Sequence, residues 1–175
     1  MRKREHINNN KGFSLVEVMV VIAIMTILVG IAAVSYNVVV NANISAAAKA
    51  LNSDFTTART TCMAKGPEEG TLTLKVIDGK LYSYIGSPAD GLAADASQMK
   101  KISTGGMKLA QSTVANAYTG SELDAVKQYS FEPSGALTGG AHSACISYLF
   151  IGKKRGSKVV FYPETGRHDV FIWNL

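Results

Sequence analysis

Cysteine and proline are scarce in this sequence, and charged residues are few. Its 175 residues include two cysteines and four prolines, and 18% are Asp, Glu, Lys or Arg. Two cysteines, Cys62 and Cys145, are too few for a disulfide scaffold and lack the spacing of a zinc site. Sixteen glycines without a repeat exclude a collagen-like chain, and a hydrophobic fraction of 47% excludes a disordered body. The length suits one compact domain, with or without an accessory element.

Positive charge is concentrated at the start of the chain. The formal net charge is +5, and residues 1–12 contribute +3 of it from four basic residues against Glu5. The remaining chain carries 14 basic and 12 acidic residues. If the first dozen residues are removed, bulk charge gives no reason to expect a nucleic-acid partner.

An apolar run extends from Phe13 to Val34, and Glu17 is its only charged residue. About 20 residues at 1.5 Å per residue match the hydrocarbon thickness of a bilayer. Basic residues precede the run, and no Lys or Arg follows it until Lys49. The positive-inside rule therefore predicts one span of the cytoplasmic membrane, with a cytoplasmic N-terminus and everything after about residue 35 on the other side.

Three interpretations of this run compete: a cleaved secretory signal, a permanent anchor, or a specialised segment. The apolar region of a signal peptide is normally 7–15 residues long and ends in an A-x-A-like site, for which this longer run offers only Ile31-Ala32-Ala33. An ionisable group within a span costs about 2.5–3.5 kcal/mol on insertion scales, so it marks function by default. Glu17 therefore favours the specialised segment, and the alternative is that its carboxylate snorkels to water.

The sequence around Gly12 resembles a known processing motif. Residues 11–17, KGFSLVE, resemble the cleavage and methylation site of type IV prepilins and type II secretion pseudopilins. The resemblance implies that residues 1–12 are a leader, that a prepilin peptidase cuts between Gly12 and Phe13, and that Phe13 becomes N-methylated. It also implies assembly with other pilin or pseudopilin subunits through the N-terminal helix, by an assembly ATPase and a platform protein of the same machine.

The chemistry of these residues suits such assembly. Cleavage after Gly12 would create an ammonium on Phe13, which is costly in an apolar setting, as is the Glu17 carboxylate. Pairing the two groups between neighbouring subunits would remove both costs and fix the axial register. Glycine also lets a protease approach the backbone closely, because it has no side chain.

The helix is predicted to continue beyond the membrane. No proline occurs before Pro67, and we expect one helix from Ser14 to about Ala64, with a membrane half at 13–35 and an amphipathic half at 36–65. An apolar stripe of heptad spacing should pack on a sheet or a neighbouring helix; it consists of Ile44, Ala48, Leu51, Phe55, Ala58 and Cys62. Off that stripe we place Lys49, Asn52, Asp54 and Arg59.

Residues 66–175 are predicted to form an extracytoplasmic, β-rich domain. Asp78-Gly79 between two alternating segments is a strong hairpin signal, and 86–106 is predicted to be a long loop with room for one helical turn. The fold class is therefore α+β, with the long helix packed on an antiparallel sheet. The predicted strands are 71–77, 80–85, 107–115, 127–132, 145–151, 158–162 and 168–173. The segments 131–135, 159–162 and 165–167 also resemble the closing strands of H-type minor pseudopilins and FimT-like minor pilins.

Two further groups of residues are candidates for chemistry. Cys62 and Cys145 could form a disulfide after export, or could be two small buried hydrophobic residues. A basic hairpin tip could contact DNA phosphates or another anionic surface, or could be a solvated end that guards the sheet edge; its residues are Lys153, Lys154, Arg155 and Lys158. We predict no catalytic residues, no cofactor and no metal site.

The most consistent function is structural rather than enzymatic. We expect a prepilin that becomes a subunit, minor rather than major, of a type IV pilus or a pseudopilus, located in the membrane and then in a periplasmic or cell-surface filament. The alternative is a binding module at a filament tip that contacts DNA, an exoprotein or a surface. A signal-anchored extracytoplasmic domain is the third interpretation.

Overall fold

The computed structural model describes residues 13–138 and 145–175. The predicted leader, Gly12 included, lies outside the described residues. The chain divides into two compact units, of which the first ends at Val38 and the second begins at Val39. We call these the N-terminal unit and the β-rich unit.

A single helix, α1, runs from Leu15 to Lys65. It agrees with the predicted helix to within one residue at each end. Ser14 caps its start, since the Ser14 hydroxyl accepts a hydrogen bond from the Glu17 N–H at 3.1 Å. Gly66 follows its end with a φ of 91°, a left-handed conformation that glycine adopts without strain. The absence of proline before Pro67 and the glycine at position 66 therefore explain the length of α1.

The β-rich unit is built on two antiparallel sheets. One has the strand order β3-β2-β1-β6, and the other has β5-β4-β7-β8-β9. The predicted α+β class is confirmed, although the strands divide between two sheets instead of forming one. Two short helices, α2 (Pro67–Gly70) and α3 (Pro88–Ala93), accompany them. The strands are β1 (Thr71–Ile77), β2 (Lys80–Gly86), β3 (Lys100–Lys101), β4 (Lys108–Ser112), β5 (Ser121–Glu122), β6 (Val126–Tyr129), β7 (Ile146–Ile151), β8 (Arg155–Tyr162) and β9 (Arg167–Asn174).

The hairpin between β1 and β2 is the local prediction that holds best. Ile77 pairs with Lys80, and both turn residues, Asp78 and Gly79, have positive φ values of 50° and 68°. Those are the angles that a two-residue hairpin turn with the twist of its strands requires. The predicted loop 86–106 contains one short helix, α3, as the prediction allowed. It also contains the two-residue strand β3, which composition did not reveal because β3 forms by pairing with β2.

The core lies where α1 packs against both sheets. All six residues of the predicted apolar stripe are buried, from Ile44 to Cys62. Phe55 lies at the centre, stacked on Phe161 of β8 at 4.8 Å between ring centroids and inclined to Tyr129 of β6 at 5.6 Å. One helical side chain thus joins the two sheets, and offset aromatic pairs of this kind add about 0.5–1.5 kcal/mol each beyond the area they bury.

Candidate functional site

The N-terminal unit presents apolar side chains on every side of its helix. The window from Leu15 to Ala32 has a mean hydropathy of 2.7, and none of its residues is buried within the chain. By length and composition this helix could cross a membrane. A helix that is apolar all round requires lipid or other protein around it, since no polar face remains to meet water. The surface that the span exposes is therefore one that another apolar environment must cover.

Phe13 and Ser14 precede the first helical residue. The Phe13 side chain is 82% exposed, and Ser14 is the N-cap of α1. The predicted N-methylation site, Phe13, thus lies outside the helix, which begins at Leu15. A chain that begins at Phe13 would start its helix at its third residue, Leu15.

Glu17 occupies the third helical position, which gives it a local role that the sequence analysis missed. Its N–H donates to the Ser14 hydroxyl, and the pattern Ser-x-x-Glu is the sequence signature of a capping box. A negative charge in the first turn is also favoured by the helix dipole. Glu17 could therefore serve two separate roles. At the start of the helix its charge is favourable but the cap does not require it, whereas pairing with an ammonium of another subunit requires a negative charge.

The second carboxylate of α1, Asp54, is buried, although it lies off the predicted apolar stripe. It is 4% exposed. The Ser83 hydroxyl of β2 donates to one Asp54 oxygen at 2.6 Å, and the Lys100 ammonium of β3 donates to the other at 2.5 Å. Because sheets flank α1 on two sides, the buried face is wider than one heptad stripe. A second row of residues at spacings of four and three signalled this face in the sequence, namely Ala47, Leu51, Asp54 and Ala58.

Arg59, also predicted to lie off the stripe, ties α1 to two loops. Its guanidinium donates to the carbonyl oxygens of Gly135 and Thr165, each at 3.1 Å. The hydroxyl of Thr56 and a ring nitrogen of His168 lie 2.9 Å apart on the same side of the helix. These polar contacts join the last turns of α1 to the loops and strands around it, whereas the apolar stripe buries hydrophobic surface against the sheets.

Both cysteines are free and buried. Cys62 belongs to the core that α1 forms with the sheets. The Cys145 thiol instead donates to the Thr113 carbonyl at 3.1 Å, next to Ser147, whose hydroxyl donates to the Val114 carbonyl. Because alternate residues of a strand face opposite sides, Cys145 lies on the side of the sheet that faces away from α1. Of the two interpretations kept open above, the geometry favours two small buried residues.

The basic hairpin between β7 and β8 is shorter than predicted. Arg155 already pairs with Asn174 as the first residue of β8, so the turn contains only residues 152–154. Lys153 and Lys154 are exposed and Arg155 is half-buried.

Lys158 does not belong to that hairpin tip, because it is 3% exposed in the middle of β8. Its ammonium donates to the Ala115 and Ala117 carbonyl oxygens at 2.8 and 3.1 Å and lies 4.6 Å from the centroid of the Tyr118 ring. Burial lowers the pKa of Lys158. The side chain holds the segment before β5 against the sheet and is not available to an external anion.

Comparison with protein families gives one match, which lies at the N-terminal end of the chain. Residues 7–33 match the family model described as the prokaryotic N-terminal methylation motif. Together with the apolar N-terminal helix, this match fits a type IV prepilin-like protein. In pilin-like proteins the motif is the cleavage site of prepilin peptidase, and it marks structural proteins rather than an enzyme family. No curated protein and no solved structure matched the chain.

Proposed function

We propose that the protein is a prepilin, cleaved by prepilin peptidase between Gly12 and Phe13 and N-methylated on Phe13. The product is a structural subunit, minor rather than major, of a type IV pilus or a type II secretion-like pseudopilus. The observation that carries this proposal is the methylation motif at residues 7–33, which leads directly into an apolar helix capped at Ser14.

The exposed apolar span explains how one subunit can exist in two environments. Before assembly, lipid covers the helix from Leu15 to Ala32, and the N-terminus remains cytoplasmic. In a filament, equivalent helices of other subunits cover it instead, and a packed bundle is as dry as lipid. The transfer therefore exposes little apolar surface to water, and an assembly ATPase with its platform protein would drive it.

Glu17 selects the register in this mechanism. The ammonium that cleavage creates on Phe13 of one subunit pairs with the Glu17 carboxylate of its neighbour. Each charge alone would be costly in the bundle, so a displaced register is penalised. The capping bond from the Glu17 N–H to Ser14 positions the carboxylate in the first turn, near the terminus that it must meet.

A tip-located binding module is the second candidate function. The exposed side chains of Lys153 and Lys154 favour it, since they could contact DNA phosphates or an acidic exoprotein. A minor subunit at the tip would be rare in sheared surface filaments, whereas a major subunit would dominate them. Quantifying the subunit in such filaments separates these two roles.

Intact-mass analysis tests the proposed processing. In cells that contain a prepilin peptidase, the mature chain should begin at Phe13 and weigh one methyl group more than its sequence. Gly12→Val should leave the precursor uncut in the membrane. Ser14→Ala is the control, because it removes the cap of α1 but leaves the Gly12–Phe13 bond. A mature chain that begins at Met1, or after Ala33, would contradict the proposal.

A further inference from the structure

Exposed positive charge collects at the turn between β7 and β8. We call Lys153, Lys154 and Arg155 the basic tip. Lys108, the first residue of β4, is exposed opposite Ile151 at the same end of the sheet. In the strand ladder, the carboxylate of Glu122 lies opposite Ala110, two residues away from Lys108. Positive charge therefore outweighs negative charge at this end of the sheet.

The basic tip lies against the first turns of α1 within the β-rich unit. A side chain on Gly152 would come within 2.3 Å of the Ile44 Cδ1 atom, so the turn rests directly on Ile44. Next to it, the Ser157 hydroxyl donates to the Ile44 carbonyl at 2.7 Å. The β-rich unit begins at Val39, only five residues before Ile44. The basic tip thus occupies the end of this unit at which the chain arrives from the apolar span.

The length of the connecting chain sets an upper limit on the distance between the basic tip and the membrane. Twelve residues lead from Ala32, the last residue of the span, to Ile44. Even fully extended, twelve residues reach no further than roughly 40 Å. Other basic residues of the unit lie farther from Ile44 along the sheet. Arg167, for example, pairs with Tyr162 at the opposite end of β8.

Aromatic side chains flank the basic tip on the outer face of β8 and β9. Trp173 pairs with Gly156, and the Tyr118 ring packs edge-on against it at 5.2 Å. Phe171, two residues earlier, is 47% exposed, and Tyr118 is 58% exposed. Aromatic rings beside lysines are the composition that favours the boundary between headgroups and water.

We propose that the basic tip contacts anionic phospholipid headgroups of the membrane in which the span is anchored, and so docks the unassembled subunit on the membrane surface. The membrane is favoured over a nucleic acid because the chain limits the distance of this end of the unit from the bilayer more tightly than that of the opposite end. The proposal rests on the proposed function only for the insertion of the span. Incorporation into a filament would have to release the contact.

Trp173, the single tryptophan of the sequence, provides the probe. The mature chain is placed in nanodiscs of phosphatidylcholine alone, or with one-third phosphatidylglycerol, each with a headgroup spin-labelled lipid. Quenching of Trp173 fluorescence should be several-fold stronger with phosphatidylglycerol. Lys153→Gln/Lys154→Gln should remove most of this difference, because each basic residue near an anionic surface contributes about a factor of five. Lys65→Gln/Arg167→Gln, which removes the same charge elsewhere, should keep it.

Each outcome of this experiment is informative. Equal quenching in both nanodiscs, or loss of the difference in the control variant as well, would overturn the docking proposal and leave the proposed function intact. A chain that does not enter nanodiscs at all would instead contradict membrane insertion itself. If single-stranded DNA changed the Trp173 signal through Lys153 and Lys154 while phosphatidylglycerol had no effect, the basic tip would be a nucleic-acid contact.

Discussion

The two halves of α1 have opposite relations to the rest of the chain. From Leu15 to Ala32 no residue is buried, whereas from Ile44 to Cys62 a continuous stripe is buried against two sheets. Each half carries one carboxylate, Glu17 or Asp54. Asp54 has two bonded partners within its own chain, while the Glu17 N–H makes a local cap. The same secondary structure thus serves folding in one half and, in our proposal, assembly in the other.

This difference shows that the role of each half of the helix depends on what buries its apolar side chains. Apolar residues occur in both halves, but only the second half has a period that matches packing on sheets. No residue from Leu15 to Ala32 is buried within its own chain, so substitutions there should not change the stability of the β-rich unit. Substitutions of buried residues in the second half should lower its stability.

Glu17→Leu should have the largest effect, and it should act on assembly alone. The change leaves the Phe13 ammonium of a neighbouring subunit without its partner in a dry bundle, which typically costs about 3–5 kcal/mol. Incorporation into filaments, measured by shearing or by cross-linking, should fall by two orders of magnitude or more. Insertion and cleavage after Gly12 should persist, because neither needs contact between subunits.

Glu17→Gln separates the two roles of this residue. Glutamine is accepted at the third position of a capping box but carries no charge. If the charge selects the register, the Gln variant should fail to assemble as the Leu variant does. If the Gln variant assembles normally, the charge of Glu17 is not needed and the pairing mechanism is wrong.

Asp54→Ala should lower the free energy of unfolding of the β-rich unit by about 3 kcal/mol, because hydrogen bonds to a charged group contribute about 1.5–3 kcal/mol each and the Ser83 hydroxyl is left buried. Chemical denaturation of the mature chain in detergent measures this. Glu17→Ala is the matched control and should not change the unfolding free energy of the β-rich unit. Similar shifts for both variants would remove the distinction between the two halves.

Alkaline pH should destabilise the β-rich unit through Tyr129 and Tyr148, whose hydroxyls contact each other in the core. Burial raises the pKa of Tyr129 from 10.0 to about 12 and raises that of Tyr148 well above 10.0. Above pH 10 the unfolded tyrosines release protons that the folded ones retain, so stability falls as the pH rises. Between pH 10 and 12 the loss should reach about 2–3 kcal/mol for Tyr129, measured by denaturation at each pH.

The double variant Tyr129→Phe/Tyr148→Phe provides the comparison for the pH series. It removes both hydroxyls together, so that neither is left without its partner. Its unfolding free energy should change less between pH 10 and 12 than that of the unaltered chain. An identical decrease in both proteins would show that other groups cause the alkaline effect.

Reducing agent should have the smallest effect, namely none on the unfolding midpoint. Cys62 and Cys145 are free and face different sides of a sheet. A disulfide between them would close a loop of about 80 residues and would add roughly 4 kcal/mol in the chain-entropy model. The denatured, unreduced protein should therefore react with two equivalents of a thiol reagent. Absence of reactive thiols would show that the bond forms.

Several features could be predicted from the sequence because they depend on neighbours in the chain. The bounds of α1 depend on the absence of proline and on Ser14 and Gly66, and the β1–β2 turn on Asp78 and Gly79. The motif around Gly12 is likewise contiguous. The buried stripe from Ile44 to Cys62 was predicted correctly, since a helical period alone places those residues on one face.

The amino-acid sequence by itself determined where the helix begins and ends, which half is apolar throughout, and where processing is expected. Only the tertiary structure decided that α1 packs against two sheets and that Asp54 is bonded to strands β2 and β3. It also decided that Lys158 lies under Tyr118 rather than in the basic tip. These outcomes depend on which strands lie next to each other. Pairing between strands far apart in the chain has no local signal, because the contacts that fix it form only when the chain folds.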